Sequence, residues 1–225
     1  MGLEIPLVAV ILSRFSNPEI HLAAWGGVVF PLSLIMEAPI IMILSASTVL
    51  CKDGPAYVLL RNFIWVLGVI LTILHMSVAF TPLYDMIVVT LLGVPTPIVQ
   101  PGRVGLQIMT LWTLAIALRR FLQGVVIRSG QTRLIMMGTF VRICVSGTLL
   151  GLGLWMSGKP GIVVATTAMV TGVIVEAALI HVLALPAIKT LRRQPQISEL
   201  SLYKLVVFYL PLAVTPLMTL ATLPI

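Results

Sequence analysis

RLIMMGTFVRICVSGTLLGLGLWMSGKPGIVVATTAMVTGVIVEAALIHVLALPAIKTLRR, the stretch from Arg133 to Arg193, holds two apolar runs separated by the short turn Ser157–Gly161. Each run, Leu134–Met156 and Ile162–Ile188, exceeds the roughly 20 residues needed to cross a hydrocarbon core. The only formal charges inside the runs are Arg142 and Glu176, and the turn carries Lys159 alone. Arginines and a lysine crowd the two flanks instead: Arg128 and Arg133 before the first run, Lys189, Arg192 and Arg193 after the second. A helical hairpin with both ends on one side of a bilayer follows from this pattern.

Working outward, the same alternation continues. Lys52 and Arg61 share one gap, Arg119, Arg120, Arg128 and Arg133 the next but one, and Lys189, Arg192, Arg193 and Lys204 the next but one again. The intervening gaps hold Arg14, Arg103 and Lys159 singly. Ten basic residues against three is a positive-inside signal that places the crowded gaps, and the N-terminus, in the cytoplasm. With 59% hydrophobic and 9% charged residues and a mean hydropathy of +1.13, the chain calls for a lipid solvent, here the inner (cytoplasmic) membrane. Spans are predicted at Leu22–Leu50, Asn62–Phe80, Val104–Leu118, Leu134–Met156, Ile162–Ile188 and Leu205–Ile225, after a partial span before Arg14. Pro31 and Pro39 predict a kink or strong tilt in the first full span. Thr81-Pro82 ends the next, Tyr84–Leu92 is expected near the outer interface with Asp85 in solvent, and Gly93, Pro95, Pro97, Pro101 and Gly102 read as an irregular outer loop. Gly147 and Gly151, four residues apart and followed by Gly153, predict close helix packing.

Both ends look cut through a helix: Met1–Leu12 is too short to span, and Leu205–Ile225 stops while still apolar. The expected organisation is a transmembrane bundle over residues 1–190 whose first helix is truncated. A cytoplasmic linker follows over 191–204, and 205–225 begin a second bundle. A faint echo of Met1-Gly-Leu in Met218-Thr-Leu, each with a nearby proline, fits one period of a two-repeat protein.

The charge of +7 belongs to loops facing one membrane surface and asks for no nucleic acid. Cys51 and Cys144 are poorly placed to pair, the three histidines are scattered, and no CxxC or Cys/His cluster suggests a metal. No Ser/His/Asp set, HExxH or phosphate-cradling glycine loop points to an enzyme, and no cofactor is called for.

Function must therefore be sought in the charges inside the runs, each of which costs at least about 2.5–3.5 kcal/mol at mid-bilayer. Glu4, Glu37, Arg142 and Glu176 qualify. At a rise of 1.5 Å per residue, Arg142 lies roughly 13 Å from Arg133 and Glu176 roughly 20 Å from Lys189, about one turn apart in depth on neighbouring helices. An ion pair between them is expected, either fixed or opened by cargo or a cation. Glu37, two residues before Pro39, sits where prolines free carbonyls and is the candidate cation or proton site.

Leu122-Gln-Gly-Val-Val-Ile-Arg-Ser-Gly-Gln-Thr-Arg133 resembles the link between helices four and five of the multidrug and toxic-compound extrusion (MATE) transporters, with Gly124, Gly130, Thr132 and Arg133 on its pattern. Leu22-Ala-Ala-Trp-Gly, preceded by Arg14, is similar to the start of that family's second helix. The acidic residue of the family's first helix has no match: Val8 holds the position and Glu4 lies ten residues before Arg14. Lys52-Asp-Gly-Pro55 looks closer to the progressive ankylosis branch of the same multidrug/oligosaccharidyl-lipid/polysaccharide exporter superfamily, implicated in exporting small organic anions. The resemblance implies an all-α polytopic membrane protein: one six-helix bundle of a MATE-like two-bundle transporter plus part of helix seven. It implies secondary active efflux of a small organic solute by alternating access, an antiporter coupled to Na⁺ or H⁺ and needing a second transporter half. A lipid-linked saccharide flippase of the same superfamily is the first alternative, and a non-transporting membrane scaffold or enzyme subunit the second.

Overall fold

The computed structural model describes residues 4–156, 158–195 and 199–221. Among them there is no strand. Ten α-helices run α1 (Glu4–Leu12), α2 (Pro18–Ala24), α3 (Phe30–Ile41), α4 (Ile43–Leu50), α5 (Gly54–Phe80), α6 (Leu83–Asp85), α7 (Thr96–Arg128), α8 (Arg133–Trp155), α9 (Gly161–Arg193) and α10 (Leu202–Ala221). Six helical stretches are long and apolar enough to cross a membrane: Pro18–Leu50, Gly54–Phe80, Thr96–Arg128, Arg133–Trp155, Gly161–Arg193 and Leu202–Thr219. The chain is an all-α, multi-pass membrane protein.

The first span is continuous but irregular, for local reasons. A π-helical turn over Trp25–Val29 joins α2 to α3, and the Phe30 N–H reaches back to the Trp25 carbonyl. This widened turn lies directly before Pro31, whose ring would otherwise collide with the carbonyl four residues back. Pro39 lies inside α3 and offers no N–H to the Ile35 carbonyl; beyond it α3 stops at Ile41, and Met42, at φ −83° and ψ −2°, separates it from α4. The span is thus irregular at two places, a widened turn before Pro31 and a break after Pro39.

The outer loop corrects the sequence reading. Only Gly93–Pro95 is irregular, with Gly93 at φ +62°, and Pro97, Pro101 and Gly102 lie inside α7. A proline in a first turn removes an N–H that has no helical acceptor, so Pro97 suits a helix start. Asp85 is exposed, as expected, and its Oδ2 lies 2.5 Å from the Arg103 guanidinium, which lies 4.7 Å above the Tyr84 ring. At its far end α7 continues beyond Arg119 and Arg120 to Arg128, so these two arginines belong to a helix and not to a loop.

The chain forms two compact units. One gathers Thr72–Thr113 and Phe140–Val175 with the residues up to Leu34; the other gathers Ile35–Leu71, Leu114–Thr139 and the residues from Glu176 on. In lipid, helices attract one another through close packing and polar contacts and not through exclusion of water, so points of closest approach matter. In the first unit a Cβ on Gly153 would collide with Val164, and one on Gly172 with the Ser146 hydroxyl. Gly147 and Gly151, the pair expected to make such contacts, meet little: Leu7 at 3.9 Å and nothing within 4 Å. In the second unit Gly124 fits against Ser47 and Leu44 of α4, and Gly138 against Ile180 of α9. Leu205, Tyr209 and Ala213, spaced at one helical turn, are the buried stripe of α10.

Candidate functional site

The second unit contains a buried polar cluster that three helices build. Arg119 and Gln123 stand one turn apart on α7, so they share a face. From α9, Glu176 accepts a hydrogen bond from Arg119 Nη1 at 2.6 Å on Oε2 and one from Gln123 Nε2 at 3.1 Å on Oε1. Thr139 of α8 donates its hydroxyl to the same Oε1 at 3.4 Å. Gly138 is the reason α8 comes this near, since an added Cβ would stand 2.9 Å from Ile180 and 3.4 Å from the Glu176 Cγ. Arg119, Gln123 and Glu176 are all buried, Glu176 completely. The Nε and Nη2 of Arg119 are buried without a described acceptor. Two N–H-bearing edges of a guanidinium, which cannot shed its charge, thus remain to receive an oxygen.

The first unit holds a second buried ion pair. Arg142 of α8 lies with its Nη1 3.1 Å from Glu4 Oε2 of α1, and both side chains are 2% exposed. The stem of Arg142 crosses α9 where Gly172 leaves room: a Cβ there would stand 3.2 Å from its Cγ. Beside it the buried Ser146 hydroxyl donates to the Ala168 carbonyl at 3.2 Å, so a polar link fastens the same crossing.

All four charges singled out from the sequence (Glu4, Glu37, Arg142 and Glu176) are buried. Arg142 belongs to the first unit and Glu176 to the second, and each is paired within its own unit. Sequence reasoning missed Arg119 as the partner of Glu176. The signal was there in Phe121, Leu122, Val125 and Val126, an apolar stripe that carries the helix past the arginine pair. Glu37 sits on α3 two residues before Pro39, whose carbonyl accepts the Tyr209 hydroxyl of α10, and Phe63 meets the Tyr209 ring edge-on at 5.3 Å.

The segments that carry the family resemblance have clear local roles. Gly130, at φ +76°, makes the reversal between α7 and α8, a conformation glycine adopts freely. Gly124, expected in the same reversal, instead lies inside α7 and admits α4. There the Thr48 carbonyl accepts Arg128 Nη1 at 3.2 Å. In Lys52-Asp-Gly-Pro55, Asp53 caps α5 through a 2.8 Å bond from the Ala56 N–H to its Oδ1. Cys51, just before it, is fully buried; burial, seconded by Asp53 and opposed by Arg128, pushes its thiol up to about 12.

No group of three or more His, Cys, Asp or Glu side chains able to hold a metal occurs among the described residues. No family model, no curated protein and no solved structure matches the chain.

Proposed function

We propose that this chain is the N-terminal bundle of a MATE-like secondary active transporter that exports a small organic solute by alternating access. Its place is the inner membrane with the N-terminus cytoplasmic, and a second bundle completes the cleft. The observation that carries the reading is the Arg119–Glu176 pair: two charges buried within spans, held by Gln123 and Thr139, with donor edges of Arg119 to spare. Charges at such depth are costly and mark ion or substrate paths in membrane proteins. A proton or Na⁺ arriving at Glu176 competes with Arg119 for the carboxylate, and the released guanidinium then suits an anionic oxygen of the solute. Cation and anionic solute thereby favour each other's binding at this pair, a reciprocal linkage through which the gradient acts on solute affinity.

The basic residues at Lys52, Arg128, Lys189, Arg192, Arg193 and Lys204 support the orientation. Glu37 is the second cation candidate, since it is buried in the same unit beside a proline break. The test is flux in proteoliposomes that hold this chain together with the second bundle: a panel of radiolabelled small organic anions, driven by an imposed Na⁺ or proton gradient. Glu176→Gln and Glu37→Gln should remove the gradient dependence singly or together while the protein still purifies folded. Gradient-driven flux untouched by both substitutions overturns the coupling assignment, and no flux of any anion overturns the substrate class.

A further inference from the structure

We propose that the second unit holds an anionic phospholipid in a groove between α5 and α9, its phosphate on Arg61 and Arg192 and an acyl chain along Trp65. Two adjoining cavities form the groove. One, of about 580 Å³, has Tyr57, Arg61, Asn62, His181 and Arg192 on its wall. The other, of about 440 Å³, shares Tyr57, Arg61, Trp65 and His181 but continues over Leu118, Leu122 and Val182. Polarity is thus graded, with two guanidinium groups and an amide at the helix ends and hydrocarbon deeper in. No Asp or Glu lines either cavity.

The arginines are posed for an anion. Asn62 Oδ1 accepts Arg61 Nε at 3.3 Å and Nη2 at 3.1 Å, which fixes the guanidinium plane and leaves Nη1 without a described acceptor. The Arg192 guanidinium stands 5.8 Å from the centre of the Tyr57 ring, and Tyr57 lines the same cavity as both arginines. Paired guanidinium groups suit phosphate oxygens through charge-assisted, often bidentate hydrogen bonds. Basic pockets between spanning helices at a membrane surface are where lipid phosphates collect.

The apolar half selects a lipid over a soluble phosphate. Trp65, Val66, Val69 and Ile70 form an exposed apolar stripe on α5, and Val182 and Leu185 are exposed on α9. A large exposed apolar face on a spanning helix is a lipid-contacting face, and the groove's own residues Trp65, Val66 and Val182 belong to it. A bilayer lipid can therefore enter sideways with its chain in place, whereas a soluble anion gains nothing from these side chains. Both arginines stand on one cavity, so the groove anchors a headgroup at one surface and offers no ladder of cations across the membrane.

Trp65 provides the readout. In a Trp155→Phe background only Trp65 is an exposed tryptophan, because Trp25 and Trp112 are buried. Brominated phosphatidylglycerol in vesicles of phosphatidylcholine should quench Trp65 more strongly than brominated phosphatidylcholine at the same mole fraction. Arg61→Gln with Arg192→Gln should weaken that relative affinity roughly 25-fold, about fivefold per cationic side chain. Arg61→Lys with Arg192→Lys should retain most of it, and Lys189→Gln with Arg193→Gln, outside the groove, should change little. Equal quenching by the two brominated lipids overturns the proposal, as does a preference that survives the double glutamine change. Displacement of the brominated lipid by millimolar glycerol phosphate also overturns it, since a soluble anion would then own the site; this measurement uses the unsubstituted arginines and stands even if the glutamine variant fails to fold.

Discussion

Breaking the Arg119–Glu176 pair one residue at a time and then together should give strongly non-additive losses. Either partner alone is left as a buried charge, a situation that typically costs about 3–5 kcal/mol. Glu176→Met should lie at the upper end, because Arg119 has Glu176 as its one described acceptor and a guanidinium cannot release its proton. Arg119→Met should cost less, because Gln123 and Thr139 still donate to the carboxylate. The double change to methionine fills similar volume with hydrocarbon and removes both charges, so most of the loss should return. A deficit of about 1–3 kcal/mol should remain, since the buried Gln123 amide then lacks its acceptor. Reversible unfolding in mixed detergent and SDS micelles measures all three, with the coupling energy read from the cycle. A double variant as unstable as the sum of its single changes, or a coupling below about 1 kcal/mol, would refute the reasoning.

Other consequences can be checked as directly. Gly124→Val should destabilise by about 1–3 kcal/mol, because the new side chain meets Ser47 and a backbone carbonyl; unfolding in the same micelles measures it. Gly130→Ala places a Cβ at φ +76° and should cost about 1–2 kcal/mol in the same assay, from backbone strain alone. With Cys144 replaced by Ala, maleimide should modify Cys51 slowly at neutral pH. Its thiol titrates near 12, so the thiolate fraction and the rate should still be climbing at pH 10, and a plateau near pH 9 would contradict the burial. Cysteines introduced beside Arg128 and Arg193 should resist an impermeant thiol reagent in intact cells while one beside Gly158 reacts; labelling at Arg128 from outside would invert the orientation.

The apolar runs were legible because a bilayer imposes a length and penalises every charge, and the same penalty picked out Glu4, Glu37, Arg142 and Glu176. Helix ends were less legible. Pro97, Pro101 and Gly102 carry loop propensity, yet the first turn of a helix tolerates Pro97 and the helix runs on through Pro101, so α7 begins earlier than composition suggests. Arg119-Arg120 resembles a helix terminus, and its inward role depends on a partner 57 residues away that no local pattern announces. Glycine spacing misled for a related reason. Gly147 and Gly151 share a face, but which face meets another helix is a tertiary matter: of the three glycines on α8 expected to pack closely only Gly153 does, and Gly172 of α9 joins it.

The two ion pairs also differ in the order in which synthesis supplies their members. Arg142 is made after Glu4, so its carboxylate is already present when the guanidinium enters the bilayer. Arg119 comes first and waits 57 residues for Glu176. At about 5–20 residues per second, that interval is roughly 3–11 s, during which α7 carries a cation whose described acceptor has not yet been made. The Tyr209 hydroxyl reaches the Pro39 carbonyl over a separation of 170 residues, later still. The first unit needs nothing beyond Val175 and can close while the ribosome is working, whereas the second stays open until α10 emerges. A ribosome stalled between Val175 and Tyr209 should thus display the second unit in the form most exposed to membrane chaperones and proteases.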